Sequence, residues 1–141
     1  VAERRGIHLV INARADSFFA DGFSSEADRL EDVVTRLNAY IQAGADCVYP
    51  VGRGDRETLT LLRKRINAPI NVLATPKTIR LDELQAAGIN RVSFGPYLFR
   101  SLLAKLSAMQ DEILQMGGYD TVMNGLWSSG DVKKYLSEGK E

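Results

Sequence analysis

The chain is poor in the residues that build disulfides and metal cages. It has one cysteine and one histidine in 141 residues. A single cysteine cannot close an internal disulfide, and with one histidine it cannot complete a structural zinc site. Net charge of one sign is also absent, because 18 Lys and Arg balance 18 Asp and Glu. No electrostatic footprint for nucleic acid or an anionic membrane follows from that balance. No stretch approaches the roughly 18 apolar residues of a membrane helix, and no secretory leader pattern is present. Low-complexity segments and phosphate-loop or dinucleotide glycine motifs are missing too. These absences lead to the expectation of a reduced, cytoplasmic protein with no nucleic-acid and no membrane partner. The chain starts with Val1 instead of Met, which fits a start that has been cut away.

What is present is one alternation, repeated. Leu9–Val10–Ile11 reads as a short buried strand. Ser24, Ser25, Glu26 and Asp28 give a cap and an acidic first turn for a helix over Ala27–Ala43, stopped by Gly44. Cys47–Val51 is a second strand, and Asp55 caps a second helix carrying Leu59, Leu61, Leu62 and Ile66. Ile70–Ala74 and Val92–Phe94 are further strands, with a helix over Leu81–Ala87 between them. Gly95–Pro96 turns into a long helix ending near Met116, and Gly117–Gly118 breaks it before two short helical pieces. Ala43–Gly44–Ala45–Asp46–Cys47–Val48 and Ala87–Gly88–Ile89–Asn90–Arg91–Val92 share a pattern of helix end, glycine turn and strand start.

Strands alternating with helices predict an α/β fold with a parallel sheet. Four all-apolar strands fit a sheet covered on both faces. Two architectures can hold four such units: a doubly wound open sheet, or half of a (βα)8 barrel, whose full length is about 250 residues. The expected division is 1–116 for the βα units and 117–141 for a C-terminal helical segment.

The candidate chemistry lies at the strand ends, where α/β folds bind ligands. Asn12, Arg14 and Asp16 share a parity and project to one side. The guanidinium fork of Arg14 suits a carboxylate or phosphate. The competing reading pairs Arg14 and Asp16 with neighbouring loop charges. Asn71 and Thr75 share a parity on the third strand. Each could bond a ligand or satisfy loop backbone. Ser93 ends the fourth strand, and Arg100 lies one turn into the long helix, where it could meet an anion or simply face solvent. His8 lacks a nucleophile partner, and Cys47 reads as a small core residue.

Several strings resemble the isocitrate lyase/phosphoenolpyruvate mutase superfamily. Leu9–Val10–Ile11–Asn12–Ala13–Arg14–Ala15–Asp16 is similar to its I-x-A-R-T-[DE] strand. Ala43–Gly44–Ala45–Asp46 with Val48–Tyr49–Pro50, Pro69–Ile70–Asn71–Val72–Leu73–Ala74, and Arg91–Val92–Ser93–Phe94–Gly95–Pro96 followed by Arg100 continue the match in order. The resemblance implies a (βα)8 TIM-type barrel of which this chain supplies strands five to eight. It also implies a Mg²⁺-dependent lyase, mutase or hydrolase acting on C–C or P–C bonds of small 2-oxo or 2-hydroxy carboxylates through an enolate. Arg14 would then be catalytic, gripping the carboxylate or developing oxyanion. Asn12, Arg14 and Thr75 would bind substrate, and Asp16, Ser93 and Arg100 complete the candidate set.

The departures from the family pattern shift the expected substrate. Ala15 replaces the family Thr, Val51 stands where many lyases carry Glu, and Leu73 where they carry Asn. These changes favour oxaloacetate-like acids over methylisocitrate. No residue here maps onto the family's metal-binding aspartates, so no metal ligand is assigned and the chain alone is expected to be inactive. A homo-oligomer is expected, with helix exchange through Gly117–Gly118. The alternative is a non-catalytic α/β module that self-associates to close its sheet edges.

Overall fold

The computed structural model describes residues 3–138. The chain divides into two compact units, Val1–Gly95 and Pro96–Glu141. The long helix therefore groups with the C-terminal pieces, whereas the sequence pattern places a boundary at 116/117.

The first unit runs β1 (Asn12–Ala15), α1 (Glu26–Gln42), β2 (Cys47–Pro50), α2 (Arg56–Arg65), β3 (Asn71–Leu73), α3 (Leu81–Ala86) and β4 (Arg91–Ser93). All pairings are parallel. β1 pairs with β2 and β3 with β4, and a parallel bridge between Val48 and Ile70 links the two pairs. The strands thus lie in chain order. A doubly wound sheet would reverse order at a switch point, whereas sequential parallel winding is that of a (βα)8 barrel. The unit is four consecutive strands of that winding, with a helix after each of the first three.

The helices form where their sequence dictates. Ser25 Oγ accepts the Asp28 amide at 3.1 Å and Asp55 Oδ1 accepts the Thr58 amide at 2.9 Å, capping α1 and α2. Val33, Val34 and Leu37 of α1, Leu59 and Leu62 of α2 and Leu84 of α3 are buried. They pack on Ala15, Val48, Ile70 and Val72, the sheet residues of one parity, to form the core.

Two expectations need correction. Leu9, Val10 and Ile11 are not strand; they are 62, 73 and 54% exposed, and the strand is the polar Asn12–Ala15 that follows. β1 is fixed by its register with β2, which pairs Asn12 with Cys47 and Ala15 with Pro50. Only alternate residues need be apolar, and Ala13 and Ala15 supply them. Nor are the strands all apolar: Asn12 and Arg14, Asn71, and Arg91 and Ser93 occupy β1, β3 and β4. The apolar core engages one sheet face, and the other carries these polar residues.

The internal repeat is a repeat of hydrogen bonds. Gly44, at φ 100°, ends α1 in a Schellman turn, with the Ala45 amide on Tyr40 O and the Gly44 amide on Ile41 O, both at 3.0 Å. Asp46 Oδ2 then accepts the Ile11 amide at 2.8 Å, and the Asp46 and Cys47 amides donate back to Ile11 O at 3.0 and 3.1 Å. After α3 the same bonds recur one sheet pair on. Asn90 Oδ1 accepts the Ile70 amide at 3.2 Å, and the Asn90 and Arg91 amides donate to Ile70 O. An acidic or amide side chain just before a strand thus clips the residue just before the preceding strand.

The second unit holds α4 (Tyr97–Leu114), α5 (Asp120–Met123) and α6 (Ser129–Glu138). The expected break at Gly117–Gly118 is spanned by Glu112, whose carboxylate oxygens accept the Asp120 and Thr121 amides at 2.9 and 2.8 Å. Ser128 Oγ accepts the Asp131 amide while the Asp131 carboxylate accepts the Ser128 amide, both at 3.1 Å, a reciprocal cap on α6. Trp127 and Tyr135 meet edge to face with centroids 5.4 Å apart.

Candidate functional site

The site is the polar sheet face of the first unit. Register places its side chains in a row. Arg14 lies opposite Tyr49, and the Val48–Ile70 bridge sets Tyr49 beside Asn71, which lies opposite Arg91. Ser93, two residues beyond Arg91, shares the face.

Arg14 leans over the Tyr49 ring, its guanidinium carbon 5.9 Å from the centroid. Its Nε donates to both Asp16 oxygens at 3.0 Å, and Nη2 also reaches Oδ1. Hydrogen bonding to Asp16 holds the guanidinium above its ordinary pKa. The pair is the loop-charge pairing weighed from the sequence. Among the described residues it still leaves Nη1 and part of Nη2 without a partner, because a guanidinium has five N–H donors. A depression beside the pair is lined by Ser17, Asp32, Arg36 and Tyr40. There Ser17 Oγ and Arg36 Nε donate to Asp32 at 2.6 and 2.7 Å, and these bonds keep its carboxyl below the usual range, Arg36 contributing most. Asn12, also on β1, has its side-chain oxygen buried without a hydrogen-bond partner among the described residues.

Thr75 and Ser93 differ in what they have left to offer. The Thr78 hydroxyl donates to Leu73 O at 2.9 Å, so its 3.0 Å contact with Thr75 Oγ1 takes the Thr75 proton. Thr75 Oγ1 also accepts the Lys77 amide at 3.2 Å. The Thr75 hydroxyl is thus engaged in its own loop. That loop packs on Gly54, where an added Cβ would come within 2.9 Å of Thr78 Cβ, so only glycine fits. Ser93, by contrast, is bonded through Asn71. Arg91, which the sequence reading passed over, donates to Asn71 Oδ1 at 2.8 Å. Its signal was its register opposite Asn71, visible only once the strands are paired. Arg100 belongs to the second unit, exposed, with its guanidinium 5.9 Å from the Tyr97 ring centroid.

His8 pairs with Asp46, Nε2 to Oδ1 at 3.2 Å. Burial pushes the Cys47 thiol pKa up, the state of an inert core thiol. Among the described residues no three His, Cys, Asp or Glu side chains gather closely enough to hold a metal ion. No helix of the described residues is long and apolar enough to cross a membrane.

Four consecutive parallel strands with three intervening helices, and an arginine-bearing polar face opposite the helix-packed one, have the winding of a (βα)8-type barrel. The chain belongs to the phosphoenolpyruvate phosphomutase family, which matches residues 1–114. The 2-methylisocitrate lyase of Aeropyrum pernix is 29% identical over 132 residues, 91% of this chain and 40% of that protein. A proposed phosphonomutase from Burkholderia cenocepacia J2315 superposes with a TM-score of 0.71 at 31% identity, covering 83% of this chain and 46% of its own. A proposed lyase/mutase from the same organism reaches a TM-score of 0.76 at 27% identity, over 93% and 46%. The chain thus spans less than half the length of these relatives.

Proposed function

We propose that this chain supplies the anion-gripping wall of an enzyme that makes or breaks a C–C or P–C bond in a small 2-oxo or 2-hydroxy carboxylate. The carrying observation is Arg14: a guanidinium with unspent donors, set against the Tyr49 ring on the polar sheet face of a phosphomutase-family fold. Its planar fork matches a carboxylate or enolate oxygen pair. Asp16 holds the fork in place. Asn12 brings a buried amide oxygen in need of a donor to the same strand, such as a substrate hydroxyl. Val51 and Leu73, apolar where lyases of the superfamily carry Glu and Asn, favour a short acid such as oxaloacetate over methylisocitrate. The Mg²⁺ implied by the family is assigned to residues outside those described, and the working enzyme to a homo-oligomer.

The test is calorimetric titration of the full-length protein, in Mg²⁺, with oxalate as an enolate mimic, beside turnover assays with oxaloacetate, methylisocitrate and phosphonopyruvate. Arg14→Ala should weaken oxalate at least tenfold, and oxaloacetate should be consumed. Unchanged oxalate affinity in that variant, with all three acids left intact by the wild type, would refute the reading.

A further inference from the structure

Asn71 is fully buried, and its side chain is bonded at both ends. Arg91 Nη1 donates to Oδ1 at 2.8 Å, and Nδ2 donates to Ser93 Oγ at 3.3 Å. The direction of this chain is dictated by chemistry. A guanidinium can only donate, so the amide atom facing Arg91 must be the oxygen. The amide NH₂ then faces Ser93, and the serine oxygen must accept. The hydroxyl proton is left over. Among the described residues its one acceptor is Val72 O at 3.4 Å, well beyond the roughly 2.7–2.8 Å of a good O–H···O bond. The Thr75 proton, in contrast, is taken by Thr78.

We propose that Arg91, Asn71 and Ser93 form a relay whose output is the Ser93 O–H, presented as a hydrogen-bond donor to a carboxylate or oxyanion of the ligand that Arg14 grips. Ser93 is the contact residue; Arg91 and Asn71 are positioning residues. The inference rests on the ligand class proposed above for the same face. A buried amide is costly unless satisfied, and Arg91 satisfies it at the oxygen end. The charge at the head of the chain polarises the amide N–H toward Ser93, which strengthens the hydroxyl as a donor. The ligand oxygen then meets a donor with no competing acceptor at normal distance.

The experiment is oxalate titration of the full-length protein in Mg²⁺. A hydrogen bond to a charged oxygen corresponds to about a 10- to 100-fold change in affinity. Ser93→Ala should lose that factor, and Ser93→Thr, which keeps the hydroxyl, should restore most of it. Asn71→Asp is the discriminating variant. It keeps the Arg91 pairing, but a carboxylate accepts from both sides, so Ser93 must turn its proton inward and away from the ligand. Its loss should match that of Ser93→Ala, and in the Ser93→Ala background the same change should add little further loss. A purely structural amide predicts that Ser93→Ala binds oxalate normally. Simple charge repulsion predicts that the two losses add. Either result overturns the relay, while the Arg14→Ala loss would leave the ligand class standing. Failure of the wild type to bind oxalate removes both.

Discussion

The two faces of the β1–β4 sheet obey different rules. On one face Ala15, Val48, Ile70 and Val72 meet the helices and are nearly or wholly buried. Every side chain there is aliphatic, and its identity matters chiefly through volume. The other face carries Arg14, Tyr49, Asn71, Arg91 and Ser93, joined by directed contacts of specific donors and acceptors. Exchanging two aliphatic residues on the first face alters packing; exchanging one polar group on the second changes which atoms remain available to a ligand. Fold and chemistry are thus divided between alternate residues of the same short strands.

The comparison breaks most visibly on the helix side. Leu37→Ala and Leu59→Ala each remove a side chain with no exposure and should cost about 2–5 kcal/mol. Urea unfolding would show it as a lower midpoint at unchanged slope. Asn71→Leu should cost less, about 1–3 kcal/mol, because it strips Ser93 of its donor while the exposed Arg91 can turn to water. A loss on the polar side exceeding that at Leu37 would mean that the polar face, too, is part of what holds the unit together.

Periodicity made α1 and α3 legible to within a residue at each end. Ser25, Asp55 and Gly44 act as the cap and stop signals they resemble, and the strings from Asn12 to Gly95 point to the family. β1 was less legible, because apolarity marks a strand only when both of its faces are buried. Leu9–Ile11 is the apolar run, yet the pairing begins at the polar Asn12. Arg91 is hidden in the sequence for a related reason. Its partner Asn71 is 20 residues away, and only strand register brings the two together. Arg14 was visible, but its bond to Asp16 and the engagement of Thr75 with Thr78 depend on side-chain geometry that spacing does not encode.

The repeat offers a finer test, through pH. Asp46 is held below its ordinary pKa first by the Ile11 amide and then by His8. Asp32 is held down by Arg36 and Ser17. A depressed carboxyl stabilises the fold above its unfolded pKa, and that contribution is lost as pH falls through the folded value. Stability should therefore decline as the solution is acidified below the usual carboxylate range. Asp46→Asn removes the titration while its amide oxygen can still accept the Ile11 N–H, as Asn90 accepts that of Ile70. The variant should unfold with a lower midpoint at neutral pH and a shallower acid slope, converging with the wild type below the carboxylate range. An identical slope would show that the clip before β1 contributes nothing through its charge.

The smallest effect on stability should come from the residue with the largest proposed role. Arg14 and Asp16 are both more than half exposed, and exposed ion pairs contribute little because water and salt screen them. Arg14→Ala should leave the urea midpoint where it is. The same substitution should weaken oxalate binding by the full-length protein at least tenfold, since no other guanidinium is held against Tyr49 among the described residues. Arg14→Lys sharpens the point. It keeps the charge but not the planar fork, so an affinity resting on bidentate geometry should remain largely lost, while one resting on charge alone should return. A variant that lowers the midpoint as much as Leu37→Ala would place Arg14 among the residues that build the fold, and the division between the two faces would fail at its most informative position.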